Sequence, residues 1–178
     1  MVACTAGSFS DAPALFHSAA LCADTGVAGL DCTDSGRALE VGCTQVGELF
    51  RCPFLDGATD VAWSSTFVCY VGADAGLRCA GENSWGTVDP IQPVDGYLDA
   101  TSVDVGGDAL AVRVGPQHAC AWGSDGRVRC WGRNLWAAVG QAEGSGEECN
   151  ENAAPWLCFA PTVVEGPTDV IDFDAHDT

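Results

Sequence analysis

Lysine is absent from this 178-residue sequence, and its seven arginines stand against 25 acidic residues. The formal net charge of −18 repels phosphate backbones, which excludes nucleic acid as a general partner. A phosphate-binding loop ending in Gly-Lys-Ser/Thr is excluded as well, because it requires lysine. The charge suits cationic partners, divalent cations or solubility alone.

Motifs for membrane spanning, zinc binding and nucleophilic catalysis are also missing. No apolar run is long enough to cross a membrane. Neither a Cys-x-x-Cys pair nor two histidines at zinc-ligand spacing occur, so a zinc site has little support. There is no Gly-x-Ser-x-Gly motif, and we expect each of the three histidines to be structural or exposed. We therefore predict that the protein is not an enzyme.

The composition nevertheless indicates a folded domain. Hydrophobic residues make up 47% of the chain, which includes six tryptophans, whereas acidic disordered chains lack aromatic residues. The 22 glycines and frequent turn residues favour many short strands joined by tight turns. We therefore expect an all-β fold.

Eleven cysteines in a chain of this length indicate disulfides formed in an oxidising compartment. Three pairs are spaced by ten residues and two by nine, whereas free buried cysteines have no reason to recur in pairs. We predict an extracellular, periplasmic or cell-surface protein, and we expect either a removed leader or a longer parent chain. Cys4 is left over from the five predicted disulfides, which are Cys22–Cys32, Cys43–Cys52, Cys69–Cys79, Cys120–Cys130 and Cys149–Cys158.

An internal repeat of 51 residues is the strongest signal in the sequence. Residues 66–85 recur at 117–136 without a gap, cysteines included, and a more divergent copy lies at 20–32. We predict one repeat domain over residues 1–178. Its expected elements are cysteine hairpins at 20–34, 67–81 and 118–132, entry strands before the last two hairpins at 58–64 and 101–105, and a terminal entry strand at 168–175.

The hairpin at 118–132 shows how one repeat is expected to fold. Residues 124–126 (Ser-Asp-Gly) make a suitable turn, since glycine adopts the left-handed conformation without steric cost. This turn places the two cysteines directly opposite each other and Trp122 opposite Val128, all on one face of the ribbon. We assign Trp122 and Trp131 to the core.

The third copy contains a Cys-Trp-Gly-x-Asn segment at 130–134 that resembles the repeat of the regulator-of-chromosome-condensation propeller family, in its bacterial extracytoplasmic, cysteine-rich type. The second copy matches less fully and has Ala80 in place of the tryptophan. The matching residues of the third copy are His118, Cys120, Ala121, Asp125, Gly126, Val128, Cys130, Trp131, Gly132, Asn134 and Gly140.

The resemblance implies a β-propeller of seven four-stranded blades. Seven repeats of this period would need about 357 residues, roughly twice the length of this chain. We therefore expect a partial β-propeller of about three and a half blades of four-stranded antiparallel sheet, stapled by disulfides. Such a half-ring has open sheet ends that need protection or a partner.

The resemblance also implies a binding protein, and we predict a secreted or surface binding module that engages a protein or glycan through the loops at one end of the propeller. Its acidic charge does not fit the chromatin role of the best-known family member. The candidate binding aromatics are Trp85 and Trp136, which occupy equivalent repeat positions, and Trp156 in the last cysteine loop. Packing of Trp85 and Trp136 between blades is the alternative interpretation.

A structural, self-assembling protein is the second hypothesis, with half-propellers closing into a dimer or growing into a filament. No cofactor is predicted apart from calcium as a remote alternative. Its oxygen ligands would come from Glu143, Glu147 and Glu148, or from Asp172 and Asp174. No EF-hand spacing is present, so a solvated acidic surface is the simpler interpretation.

Overall fold

The computed structural model describes residues 53–93, 96–142, 145–149 and 157–165, and the backbone alone of 15–17, 44–46 and 49–51. Several predicted features lie outside the described residues. These are the hairpin at 20–34, the entry strand at 168–175, Cys4, Cys22, Cys32, Cys43, Cys52 and Trp156.

Three short strands form the first sheet. Strands β1 (Leu15–His17), β2 (Thr44–Val46) and β3 (Leu49–Arg51) pair antiparallel in the order β1-β3-β2. The central strand is β3, because it pairs with β1 on one side and with β2 on the other. A 3-10 turn at Pro53–Leu55 then leads into the next sheet.

The second sheet is a four-stranded antiparallel meander, which we call the second blade. It consists of β4 (Asp60–Trp63), β5 (Phe67–Val71), β6 (Leu77–Glu82) and β7 (Tyr97–Ser102), paired in chain order. Every residue of β5 is buried, which explains its unbroken apolar sequence: both faces of this strand are covered. The outer strand β7 has no fully buried residue and is polar.

The third blade repeats this arrangement. It consists of β8 (Ala109–Val114), β9 (His118–Gly123), β10 (Val128–Arg133), β11 (Glu147–Glu148) and β12 (Leu157–Val163). The order β11-β12-β10-β9-β8 places β8, β9, β10 and β12 where the second blade has β4 to β7. The expectation of an all-β partial propeller with four-stranded antiparallel blades is therefore confirmed.

The entry strand of the third blade differs from the prediction. Residues 101–105 do not form it; Thr101 and Ser102 end β7, and the strand that pairs with β9 is Ala109–Val114. Val103 and Val105 are buried in the core between the blades. The alternation of these valines with polar residues is typical of a strand, but here the segment lines the core and pairs with no strand of the third blade.

The disulfides link partners that lie directly opposite each other or on adjoining strands. Cys69 faces Cys79 and Cys120 faces Cys130 in the two hairpins, and both pairs are bonded, as is Cys149–Cys158 beside β11 and β12. Each bond closes a short loop and restricts the unfolded chain, an effect of roughly 2–3 kcal/mol for a loop of this size. Trp122 lies opposite Val128, as the turn at 124–126 requires.

The main core lies between the second and third blades. The second blade contributes the face that carries its disulfide, which we call the disulfide face and which includes Val71 and Leu77. The third blade contributes its opposite face, the alanine face, with Ala119, Ala121 and the fully buried Trp131. Small side chains beside one large indole let the two sheets approach closely.

An ion pair closes the tip of both cysteine hairpins that the structure describes. The Asp125 carboxylate accepts hydrogen bonds from both Arg129 guanidinium nitrogens at 3.1 and 2.7 Å and from the Arg127 backbone N–H at 3.1 Å. Asp74 and Arg78 form the equivalent pair one repeat earlier, at 2.9 and 2.6 Å. The same aspartate–arginine ion pair thus occurs at both hairpin tips, at positions 51 residues apart.

We expect Arg129→Gln to raise the pKa of Asp125 towards its ordinary value, because the guanidinium hydrogen bonds lower it to about 2 in the folded protein. A carboxyl pKa that is lowered on folding stabilises the fold above the unfolded-state pKa, near 4, and the benefit is lost as the pH falls towards 2. Carboxyl-detected NMR titration measures the change. Asp74, whose pKa is lowered by Arg78, serves as the internal control, and an unshifted Asp125 would contradict the assignment.

Candidate binding surface

The two long loops that follow β6 and β10 lie at the same end of the blades, because the two strands are repeat equivalents. We call this end, with residues 83–93 and 134–142, the loop end. The hairpin tips at 72–76 and 123–127 lie at the opposite end. Leu110 belongs to that opposite end, since the start of β8 pairs with Gly123 at a hairpin tip.

A buried asparagine organises each loop. The side chain of Asn83 is fully buried; its Nδ2 donates to the Gln92 carbonyl at 3.0 Å, and its Oδ1 accepts from the N–H groups of Val88 and Asp89 at 3.0 and 2.7 Å. Asn134, one repeat later, donates to the Ala142 carbonyl at 3.1 Å. One side-chain amide thus forms hydrogen bonds with several backbone groups of the loop that have no partner strand.

Trp85 lies at the contact between the two blades. The Arg133 guanidinium carbon of the third blade stands 4.6 Å from the centre of the Trp85 ring, within the range of a cation–π interaction. Arg133 also donates from Nη1 to the Gln117 side-chain carbonyl. Burial lowers the pKa of the Arg133 guanidinium, a desolvation cost that the indole and the amide oxygen offset.

A hydrogen bond from Trp131 links the blades two residues earlier on β10. Its indole Nε1 donates to the Thr87 carbonyl at 3.0 Å, and the side chain is fully buried. Trp131 and Arg133 therefore hold the same loop of the second blade at two points. The second blade has Ala80 and Glu82 at the equivalent positions, so this pair of contacts is specific to the third blade.

Two large hydrophobic side chains are exposed at the loop end: Ile91 is 79% exposed and Trp136 is 64% exposed. Trp136 has φ 51° and ψ 38°, and Ala137 has φ 63°, so both lie in the left-handed region. This conformation costs about 1–2 kcal/mol per L-residue. Backbone strain of this kind is concentrated at functional sites.

We expect Ala137→Gly to stabilise the protein by about 1 kcal/mol, because glycine adopts a positive φ without a steric penalty. The repeat equivalent of Ala137 is Gly86, which has φ 66°. Ala138→Gly is the matched control: Ala138 has φ −57°, and glycine there should destabilise by a similar amount. Urea unfolding of both variants provides the measurement, and equal destabilisation by both would refute the strain at 137.

The charge of the loop end is acidic. Glu82 and Asp89 lie in or beside the first loop, and Glu147 and Glu148 are exposed on β11, which reaches this end through its pairing with Leu157 and Cys158. Among the fully described residues of the two loops and their adjoining strand ends, Arg133 is the one arginine. The surface therefore combines exposed apolar side chains with negative charge.

The predicted calcium ligands are only partly described. Glu147 and Glu148 are exposed, whereas Glu143, Asp172 and Asp174 lie outside the described residues. Within the described part of the chain, no three His, Cys, Asp or Glu side chains come together as a metal site. Calcium binding stays a prediction. The described residues also contain no helix long and apolar enough to cross a membrane.

The predicted aromatic residues separate into different environments. Trp136 is exposed, whereas Trp85 packs against Arg133 of the neighbouring blade. Of the two tryptophans assigned to the core, Trp131 is fully buried and Trp122 is half-buried. The sequence analysis did not single out Ile91. This residue directly follows Pro90 in the loop, and the position 51 residues later is not a large hydrophobic residue.

Two antiparallel blades with a shared core, equivalent hairpins and equivalent loops define a partial β-propeller. Residues 110–141 match the family model of the regulator of chromosome condensation (RCC1) repeat. This match identifies one repeat of that type in the third blade, and a similar solved structure supports the β-propeller fold; the bacterial, cysteine-rich type remains an expectation. No curated protein matches the chain significantly.

One similar solved structure is that of yeast RCC1 (Prp20) in complex with Kap60, with a TM-score of 0.60, 13% identity, and coverage of 80% of this chain and 34% of the yeast protein. Saccharomyces cerevisiae Prp20p in another structure gives 0.46 at 17% identity, covering 60% and 25%. Human WBSCR16 gives 0.48 at 15% identity, covering 67% and 30%. The chain thus spans about a third of these proteins or less.

Proposed function

We propose that the chain is a protein-interaction module, secreted or on the cell surface and without catalytic activity, whose binding surface is the loop end. The exposure of Ile91 and Trp136 carries this proposal. Large hydrophobic side chains at a rigid loop surface are typical anchors of protein interfaces, and tryptophan is enriched among the residues that dominate binding energy.

The fold makes these anchors rigid. Asn83 and Asn134 fix the two loops from inside, and the inter-blade contacts of Trp131 and Arg133 fix the first loop from outside. Rigid anchors lose little conformational entropy on binding. The acidic surroundings favour a partner with basic groups, which would be steered towards the surface by charge.

The proposed location is supported by the disulfides. Cys69–Cys79, Cys120–Cys130 and Cys149–Cys158 are bonded, and such bonds persist in oxidising compartments. The yeast relative was crystallised with a protein partner, Kap60. Because identity to that protein is only 13%, Kap60 itself is not transferred to this chain.

The test is a capture experiment with immobilised protein and the secreted fraction of the producing cells, read by mass spectrometry. The double variant Ile91→Asp/Trp136→Ala should lose the captured proteins by at least tenfold, the loss that about 1.4 kcal/mol produces. Leu110→Asp is the matched control, since Leu110 is 49% exposed at the opposite end. Unchanged capture by the double variant, at an unchanged melting temperature, would refute the loop end as the binding surface.

A further inference from the structure

The third blade carries an acidic insertion at the loop end. Glu82 of the second blade pairs with Tyr97, which lies 15 residues further along the chain. The equivalent residue of the third blade, Arg133, pairs with Cys158, 25 residues further along, so this connection is ten residues longer. Strand β11, whose two residues are both glutamate, lies in the longer connection and is held beside β12 by the Cys149–Cys158 bond. Insertions in repeat proteins often lie on the binding face.

Hydrogen bonds place these glutamates close to Trp136. The Asn134 backbone N–H donates to the Leu157 carbonyl at 2.9 Å, and Leu157 pairs on its other side with Glu148. Asn134 and Glu148 are therefore two strand spacings apart, about 10 Å, and Trp136 follows Asn134 by two residues. This distance is comparable with the Debye length of about 8 Å at physiological ionic strength, so the carboxylates attract a cation at the ring.

The same molecule shows how a tryptophan at this repeat position takes a cation. The Arg133 guanidinium carbon stands 4.6 Å from the centre of the Trp85 ring, which is the repeat equivalent of Trp136. Trp136 is 64% exposed, and among the residues that the structure describes no arginine stands over its ring. An exposed indole beside two carboxylates is a surface that a cation complements in both charge and shape.

We propose that Trp136 binds an arginine side chain of a partner protein, in a basic segment whose next positive charge is attracted by Glu147 and Glu148. This rests on the proposed function and names the chemistry of the partner. A guanidinium suits the ring because it is planar, weakly hydrated and stacks on aromatic faces. In an extended segment, two arginines separated by one residue point to the same side about 7 Å apart, so one reaches the ring and the other the glutamates.

The test uses the full chain, labelled with nitrogen-15, and the synthetic peptide acetyl-Gly-Arg-Ser-Arg-Gly-amide. Nuclear magnetic resonance follows the indole N–H signal of Trp136, assigned by its loss in Trp136→Leu, and the backbone N–H signals of Glu147 and Glu148. We expect all three to shift in a saturable way. Trp136→Leu keeps an apolar side chain but removes the ring, and the glutamate signals should then report binding that is about fivefold weaker, the scale of an exposed cation–π interaction.

Three further probes define the ligand. Citrulline in place of both arginines keeps the shape of the side chain but removes its charge, and it should abolish the shifts. Lysine in place of both should bind severalfold more weakly, because an ammonium is more strongly hydrated and does not stack. Arginine amide alone should also bind severalfold more weakly than the peptide, because one guanidinium does not reach both the ring and the glutamates.

Two double variants separate the local carboxylates from the overall charge. Glu147→Gln/Glu148→Gln should weaken peptide binding severalfold and reduce its dependence on salt. Asp104→Asn/Asp108→Asn is the matched control, because it removes the same charge from two exposed residues before β8, whose first residues lie at the opposite end. This control should leave the affinity nearly unchanged.

Equal peptide affinity of Trp136→Leu and the unchanged protein would overturn the inference, and so would equal losses in the two acidic double variants. Lysine or citrulline peptides that bind as well as the arginine peptide would overturn the choice of arginine, and equal binding of arginine amide would overturn the basic segment. The proposed function is judged separately by the capture experiment. Capture that depends on Ile91 and Trp136, without peptide binding, would leave the function and remove the inference; peptide binding with unchanged capture would do the opposite.

Discussion

Trp131→Ala is expected to lower the free energy of unfolding by about 3–5 kcal/mol, the range for removing a large buried aromatic side chain. The side chain is fully buried at the centre of the core that the second and third blades share. Its removal leaves a cavity between two sheets and also deprives the Thr87 carbonyl of its indole donor. This loss is a substantial share of the total free energy of unfolding of a small domain.

The loss should also change how the blades unfold. Because Trp131 joins the two blades, its removal should let them unfold at different denaturant concentrations, and transitions followed by different probes should no longer coincide. Trp131→Phe separates the two contributions: it keeps most of the volume and should cost about 1 kcal/mol for the lost hydrogen bond. Urea unfolding followed by circular dichroism and by fluorescence is the measurement.

Trp122→Ala is the control for a generic loss of tryptophan. Trp122 is half-buried and lies on the opposite face of the same hairpin. It should cost clearly less than Trp131→Ala and leave the two transitions coincident. Equal losses in both variants would show that the indole at 131 has no special role between the blades.

The sequence predicts the hairpins well because their determinants are local. The cysteine spacing, the Asp-Gly turn and the β-period fix the register of β9 and β10 without any knowledge of the neighbouring blade. The entry strand of the third blade is harder to predict. Residues 101–105 alternate like a strand, but they include the end of β7 and the segment after it that lines the core. Applying the 51-residue offset to 58–63 gives 109–114, which is the strand observed.

The environments of the candidate binding residues could not be predicted from one repeat. Trp85 and Trp136 occupy the same repeat position, yet one is covered by Arg133 and the other is exposed. The difference lies in the next blade along the arc, which is a non-local property. Pattern alone also cannot distinguish the face that meets a neighbour from the face that stays open, as the half-buried Trp122 shows.

Gly132→Ala is expected to destabilise the protein by roughly 4 kcal/mol or more, an exceptional cost for a one-carbon change. Gly132 has φ +99°, and a Cβ there would lie 2.7 Å from the Gln117 carbonyl oxygen and 2.9 Å from the His118 Cα. Both neighbours are backbone of the adjoining strand segment, so they cannot move away without breaking the pairing of β9 and β10.

The requirement for glycine follows from the position of β10, which pairs with a different strand on each side. On one side it pairs with β9 through Gly132 and His118; on the other its pairing with β12 shifts between Cys130 and Gly132, which is a β-bulge. The second blade has the same shift between Cys79 and Gly81, where φ is +126°. The recurring Cys-x-Gly thus combines a disulfide with a bulge, and Arg133, the residue directly after Gly132, contacts Trp85.

Gly107→Ala is the matched control, because Gly107 has φ +147° but a Cβ there would have no heavy atom within 4 Å. It carries the backbone penalty alone, about 1–3 kcal/mol. The difference between the two variants in urea unfolding isolates the clash with β9. If Gly132→Ala cost no more than Gly107→Ala, the close approach of the two strands would not be what requires glycine at the bulge of β10.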